Sequence, residues 1–439
     1  MTEPRRSTGS ILLFWLPLAA TWLMMGLEGP FLAAVIARLA DPKFNLAAYG
    51  VAYAFAILVE SPVIMLMSAS TALVEDASSY RRLRNFANAL SIGATGLLLL
   101  VLIPPVYDGI MGTVIGLPAA VRSLTYGALW LLLPWPGAIG YRRFLHGLLI
   151  RAGRTRLVAI GTVLRLTAMA VTAILLYVST DIPGAWVGGA SLSMGVVTEA
   201  IAARAFAAVT VRELRDGPER AEPTTQPIGY RDIAAFYYPL ALTSLIGLTV
   251  QPMLTFFMGR APSPIESLAV FPVVHSLSFL FRALGLSFQE AAIAIMGRRY
   301  EYFPELARFA AVLALVASGG LAIVAFTPVA DFWFRTVSGL TADLARFALT
   351  PTRVLVALPA LSVLLSFQRA ILVQGRRTRP ITVATSIEVL VIAILFAILG
   401  WWAGLVGVTA AVTAFVGGRV SSVTYLLPRS RRAVHRIAR

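Results

Sequence analysis

The sequence predicts an all-α polytopic membrane protein, with about twelve transmembrane helices in two pseudo-symmetric six-helix lobes. Three observations predict it. The 439-residue chain is 58% hydrophobic and 13% charged, with a mean hydropathy of +0.80, which leaves too few polar residues to cover a soluble surface. The apolar residues fall in runs of roughly 20, the length at which a helix crosses hydrocarbon, whereas a β-barrel would alternate over segments of about 10. Landmarks of the first half recur in the second at a fixed distance.

The apolar runs place helices at 10–37, 46–73, 86–106, 120–149, 157–179 and 186–213, then at 231–259, 266–296, 306–327, 345–373, 380–400 and 404–427. The first run, from Ser10 to about Ala37, is too long for a cleaved leader and reads as a retained first helix. Several runs exceed what a perpendicular crossing needs, so those helices tilt, bend or extend into water. Pro134 and Pro136 interrupt the fourth, and Arg142 and Arg143 follow near its inner half. The polar, Pro-rich stretch from Asp216 to Tyr230 reads as a linker. These boundaries give an N-lobe at 1–213, a cytoplasmic linker at 214–229 and a C-lobe at 230–439.

Charge sets the orientation. Arg5 and Arg6, Arg81 to Arg84, Arg151 to Arg156, Arg212 to Arg220, Arg298 and Arg299, Arg376 to Arg379 and the tail from Arg429 fall at every second loop. The opposite loops carry little beyond Arg38, Lys43, Arg122, Arg260 and Arg335. Basic residues concentrate in cytoplasmic loops. The expectation is a multi-pass protein of the cell inner membrane with both termini in the cytoplasm. This placement accounts for the formal charge of +16 without a nucleic-acid partner.

The internal repeat is specific. Phe14-Trp15-Leu16-Pro17-Leu18-Ala19 matches Phe236-Tyr237-Tyr238-Pro239-Leu240-Ala241, and Thr21, Pro30 and Arg38 match Thr243, Pro252 and Arg260, each pair 222 positions apart. Gly153 and Gly375 keep the same spacing. An even number of helices per repeat makes the halves parallel about an axis along the membrane normal, with a substrate expected near mid-membrane between the lobes. The paired prolines remove backbone hydrogen bonds and bend their helices, either as fixed kinks or as hinges of alternating access.

The two-lobed plan, with FWLPLA and FYYPLA opening the halves, resembles the multidrug/oligosaccharidyl-lipid/polysaccharide exporter superfamily. Leu46-Ala47-Ala48-Tyr49-Gly50-Val51-Ala52-Tyr53, His146-Gly147-Leu148-Leu149-Ile150-Arg151, Leu192-Ser193-Met194-Gly195 and Phe236 to Leu242 look most like its progressive ankylosis family. The resemblance implies a cavity between lobes that opens alternately to each side. It also implies export of a small anion such as citrate, pyrophosphate or a nucleotide. Glu199 departs from that family, where a basic residue is expected.

A charge in hydrocarbon costs at least about 2.5–3.5 kcal/mol, so it normally faces the bundle interior or water. Helices one, two, seven and eight line the cleft in the resembled fold, which selects Glu28, Glu60, Gln251, His275 and Arg282 as substrate-binding candidates. Arg282 lies two turns beyond His275 on one face, and a guanidinium presents a fork to carboxylate or phosphate. The alternative for Arg282 is a structural pair with Glu60 or Glu290. Glu60 and Glu28 are candidates for proton coupling, since a carboxylate in a partly dry cavity can load and release protons. Coupling or gating pairs are expected among Glu60, Glu28, Arg165, Glu199 and Glu388. Arg165 and Glu388 suit a bridge across the lobes, or a pair within each lobe such as Arg165 with Glu199. His146, beside Arg142 and Arg143, reads as an interfacial histidine.

The sequence has no cysteine, and its three histidines are far apart, so no disulfide and no metal-ligand spacing is visible. No nucleotide-binding or hydrolase motif is found, which argues against an ATP-driven pump and against an enzyme. The expectation is therefore a secondary-active exporter with no cofactor. Its partners are a small-molecule substrate, the lipid bilayer and a coupling proton or sodium ion, and six plus six helices suffice for a monomer. The alternatives are a flippase for a lipid-linked oligosaccharide or lipid, and a multidrug exporter relying on Glu28 and Glu60.

Overall fold

A computed structural model of the chain describes residues 8–216, 229–296, 300–375, 377 and 379–437. Arg5, Arg6, Arg220, Arg298, Arg299, Arg376 and most of the expected linker lie outside the described residues. The chain is an all-α polytopic membrane protein. Among the described residues, eleven helical stretches are long and apolar enough to span a membrane.

The first half opens with α1 (Thr8–Gly26) and α2 (Glu28–Ile36), followed by α3 (Pro42–Glu60), α4 (Leu66–Leu73) and α5 (Ala77–Val101). The short α6 (Pro104–Asp108) and a π-helical turn at Gly109–Val114 lead to α7 (Ala119–Leu131) and α8 (Trp135–Arg151). Helices α9 (Thr155–Ser179), α10 (Gly184–Phe206) and α11 (Ala208–Asp216) complete it. The second half repeats the plan with α12 (Tyr230–Leu248), α13 (Val250–Gly259), α14 (Pro264–Ile295) and α15 (Phe303–Phe326). Then come α16 (Val329–Asp331), a π-helical turn at Phe332–Val337, α17 (Ala342–Leu355) and α18 (Leu358–Gln374). Helix α19 (Arg379–Phe396) ends in a third π-helical turn at Ala397–Trp402, and α20 (Gly407–Ile437) closes the described chain.

Prolines explain where expected single helices divide. A proline has no N–H, and its ring collides with the carbonyl four residues earlier. Pro30 acts on Gly26, where α1 ends, and Pro252 acts on Leu248, where α12 ends. The breaks at Leu27 and Thr249 are 222 positions apart, so the repeat holds in the backbone. Pro359 acts likewise on Leu355, the end of α17. The fourth expected span, 120–149, divides beside Pro134 into α7 and α8, and neither piece crosses a membrane alone by length. Pro62 has no counterpart: it follows the end of α3, whereas α14 runs unbroken through the equivalent position.

The halves also share their joints. Asp41 and Ser263, 222 positions apart, both take left-handed backbone angles directly before a proline that starts a helix. Four residues on, buried Asn45 accepts a hydrogen bond from the backbone N–H of Ala185 at 2.9 Å. Its counterpart Ser267 accepts one from Val408 at 3.0 Å. Each bond satisfies an amide in the first turn of the half's last long helix, an otherwise unpaired group.

Contacts group the chain into two compact units, Met1–Arg38 with Phe256–Arg439, and Leu39–Thr255. The opening helix of each repeat half is thus grouped with helices of the other half. In the first unit, Trp15 of α1 donates from Nε1 to Ser287 Oγ of α14 at 2.9 Å and meets Phe309 edge-on at 5.5 Å. In the second, Tyr237 of α12 donates its hydroxyl to the Pro62 carbonyl and packs edge-on against Phe86.

Candidate functional site

Buried charge collects at one place in each unit. In Leu39–Thr255 the centre is Glu199 of α10, which is fully buried. Arg142 of α8 bonds its Oε2, Arg165 Nε of α9 lies 3.4 Å from the same oxygen, and His146 Nε2 lies 3.9 Å from Oε1. Small residues make this approach possible. A Cβ at Gly195, one turn before Glu199, would stand 2.9 Å from the Arg165 carbonyl, so only glycine lets α10 lie this close to α9. A second acid, Glu60 at the end of α3, accepts from Trp135 Nε1 of α8. Arg143 completes the group, with Nη1 at 4.0 Å from Met67 Sδ and its charge within reach of Glu60. Three arginines face two carboxylates.

In the other unit the acid is Glu388 of α19, bound by Arg419 Nη2 of α20 at 2.9 Å. A Cβ at Gly418 would lie 2.8 Å from the Glu388 carbonyl. This is the same glycine-to-carbonyl approach as Gly195 on Arg165, with both partners displaced by 223 positions. Arg282 of α14 is buried, with its guanidinium 5.0 Å from the Phe415 ring centroid and 5.9 Å from that of Phe279. Its Nη1 stands 3.4 Å from His275 Nε2. Arg419 lies over the same Phe415 ring at 5.6 Å. Arg369 of α18 donates to Thr385 Oγ1 at 3.2 Å and, like Arg282, lies within electrostatic reach of both Arg419 and Glu388.

Here three arginines face one carboxylate. The Nε atoms of Arg282, Arg369 and Arg419, like those of Arg142 and Arg143 in the other unit, are buried and have no hydrogen-bond partner among the described residues. Leaving such donors unmet is costly, more so when they are charged. Aromatic faces offset part of that cost, since a cation over a ring is attracted by its quadrupole.

Of the residues selected from sequence, the fold brings Arg282 and His275 together and puts Glu60 beside Trp135. Glu28 begins α2 and Gln251 is the second residue of α13; both are half-buried. Arg165 and Glu388 both have partners close by. Each binds a partner on the neighbouring helix of its own unit, because the glycine contacts fix α9 on α10 and α19 on α20. Within its own unit, Arg282 does not have Glu290 at ion-pair distance among the described residues. His146 is buried rather than interfacial. The sequence reading left Arg142, Arg369 and Arg419 out of the site. One available signal was not used: Glu60 and Arg282 are 222 positions apart and so occupy equivalent places with opposite charge. Among the described residues, no group of three acidic, histidine or cysteine side chains could hold a metal ion.

No protein-family model matches the chain, and no curated protein matches its sequence. Solved structures do match. An inward-facing multidrug resistance transporter of the MATE family, in the MOP superfamily, has a TM-score of 0.69 at 14% identity, covering 99% of both chains. The lipid II flippase MurJ in an inward closed conformation gives 0.70 at 14% identity, over 96% of this chain and 90% of that one. A MOP superfamily transporter from Pyrococcus furiosus gives 0.65 at 15% identity, over 99% and 98%; its binding pocket is described as reversed in polarity. The chain therefore has the two-lobe fold of these transporters.

Proposed function

We propose that the chain is a secondary-active transporter that exports a small organic or phosphorylated anion by alternating access. The observation behind this reading is the group around Arg282, where three arginines share one carboxylate. A carboxylate or phosphate would satisfy them with charge-assisted, forked hydrogen bonds. A substrate cation would need an acid to receive it; Glu388 and Glu199 are held by arginine, so the multidrug reading that the MATE neighbour suggests would rest on Glu60 and Glu28. The excess of arginine around Arg282 favours an anion instead. The reversed pocket polarity described for the Pyrococcus furiosus transporter is a precedent for such a change on this fold.

Glu60 is the coupling candidate. It is buried and its charge is held by a neutral indole donor rather than by a close ion pair, so protonation leaves a satisfied group. A second reading, a flippase for a lipid-linked phosphate, is supported by the likeness to the lipid II flippase.

The test is uptake of radiolabelled citrate, pyrophosphate and ATP into proteoliposomes, with and without a pH gradient, for wild type and Arg282→Ala. Saturable flux of at least one anion that Arg282→Ala abolishes supports the anion reading. A dependence on the gradient that Glu60→Gln removes supports proton coupling. Absence of flux for all three, with movement of a polyprenyl-linked pyrophosphate across the bilayer, supports the flippase instead.

A further inference from the structure

Three cavities meet at Tyr141 of α8, all within the unit Leu39–Thr255 and apart from the buried charges around Glu199. The first, of about 240 Å³, is walled by Tyr80, Arg84, Asn88, Tyr141, Arg204 and Arg215 among others. Among the described residues, no acidic residue lines it. Arg84 lies over the Tyr80 ring, 5.7 Å from its centroid. Among the described residues, none of the three arginines has a carboxylate at ion-pair distance. Arg84 and Arg215 belong to arginine-rich helix ends, Arg81 to Arg84 and Arg212 to Arg215.

The other two cavities are apolar. One, of about 370 Å³, follows the seam of α5 and α8 past Ser91, Ile92 and Thr95, and shares Asn88 and Tyr141 with the first. The other, of about 250 Å³, follows the seam of α8 and α10 past Val197, Ala200 and Ile201, and shares Tyr141 and Arg204. From Asn88 to Thr95, and from Arg204 back to Val197, each seam runs seven residues, about 10 Å along a helix. Both lead away from the arginine-rich end. Ile92 and Ile201 are 72% and 66% exposed, so the seams open to the surroundings of the helices.

We propose that these three cavities form one binding site for an anionic diacyl phospholipid. The phosphate head group sits among Arg84, Arg204 and Arg215, and one acyl chain lies in each seam, with Tyr141 between them. Charge complementarity selects the occupant. Arginine forks match phosphate oxygens, and basic pockets between helices at the cytoplasmic side suit anionic head groups. Two apolar seams descending from one basic cavity match two acyl chains on one phosphate. The inference stands apart from the transport reading, since none of these residues belongs to the Arg282 group.

The experiment is native mass spectrometry of the full-length chain in detergent, titrated with phosphatidylglycerol, phosphatidylcholine or glycerol 3-phosphate. The expected result is one bound phosphatidylglycerol, held at least tenfold more tightly than phosphatidylcholine. Arg84→Gln, Arg204→Gln and Arg215→Gln combined weaken it on the order of 100-fold, at roughly fivefold per arginine. Ile92→Trp with Ile201→Trp, which fill the seams, weaken it without removing a charge. Arg308→Gln, Arg377→Gln and Arg379→Gln combined, elsewhere on the basic side, change it less than twofold. Equal retention of the two lipids overturns the proposal. So does an equal loss in the two arginine triples, which would mean diffuse attraction, or glycerol 3-phosphate binding as tightly as phosphatidylglycerol, which would mean a site for a free phosphate ester.

Discussion

The two repeat halves build the same helix contact and load it with opposite charges. In one, Gly195 of α10 meets the carbonyl of Arg165 on α9, and α10 carries the acid Glu199. In the other, Gly418 of α20 meets the carbonyl of Glu388 on α19, and α20 carries the base Arg419. Glu60 and Arg282 are reversed in the same way, 222 positions apart. The backbone repeat is therefore indifferent to the sign of the charge it holds. What distinguishes the halves is the balance around each acid. The Glu199 group has a second carboxylate and reads as a closed structural knot. The Glu388 group sets three arginines against a single carboxylate, the larger excess of positive charge, and reads as a receptor.

This contrast can be broken at its acids. Glu199 holds Arg142 and Arg165 and has His146 nearby, so Glu199→Gln removes the carboxylate that two buried guanidinium groups share. The expected loss is about 3–5 kcal/mol, read as a shift in denaturant unfolding in mixed micelles. Glu388 has one arginine, Arg419, at ion-pair distance among the described residues, and Glu388→Gln is expected to cost less, about 2–3 kcal/mol. If Glu388→Gln proves the more damaging of the two, the assignment of knot and receptor is inverted.

The shared scaffold can be tested next. Gly195→Ala and Gly418→Ala each push a methyl group to within 3 Å of a backbone carbonyl, at 2.9 and 2.8 Å. Overpacking of this kind costs about 1–3 kcal/mol, and the two losses should agree within about 1 kcal/mol. A large effect in one half alone would show that the contact is not equivalent. The smallest effects belong to the joints. Asn45→Ala and Ser267→Ala each remove one buried acceptor from a helix-start amide. Each should lower stability by about 1–2 kcal/mol, with Asn45 the larger because its Nδ2 also donates to the Ala40 and Asp41 carbonyls.

Much of the fold was legible in the sequence. Run length gave the helices, and Pro30 and Pro252 gave bends in the two opening ones; the structure turns these into breaks at Leu27 and Thr249, since a proline acts on a carbonyl at a fixed distance. The site was legible only in part. Seven residues of helix put His275 and Arg282 on one face, a local relation that sequence spacing contains. Which carboxylate meets Arg165 or Arg419 depends on how α9 lies on α10 and α19 on α20. That is set by glycines whose close contacts are nonlocal. The burial of His146 was missed for the same reason: the hydropathy of α8 does not show that Glu199 on another helix will face it.

The most direct test of the central claim is titration calorimetry of citrate and pyrophosphate on the solubilised protein in three forms: wild type, Arg282→Gln, and the double variant Arg142→Gln with Glu199→Gln. Losing one charged hydrogen-bonding group from a receptor weakens binding about 10–100-fold. The account predicts that loss for Arg282→Gln and a change of less than about threefold for the double variant, whose charges are removed as a pair. Unaltered binding in Arg282→Gln with a large loss in the double variant would contradict it, and would place anion recognition at the Glu199 group instead.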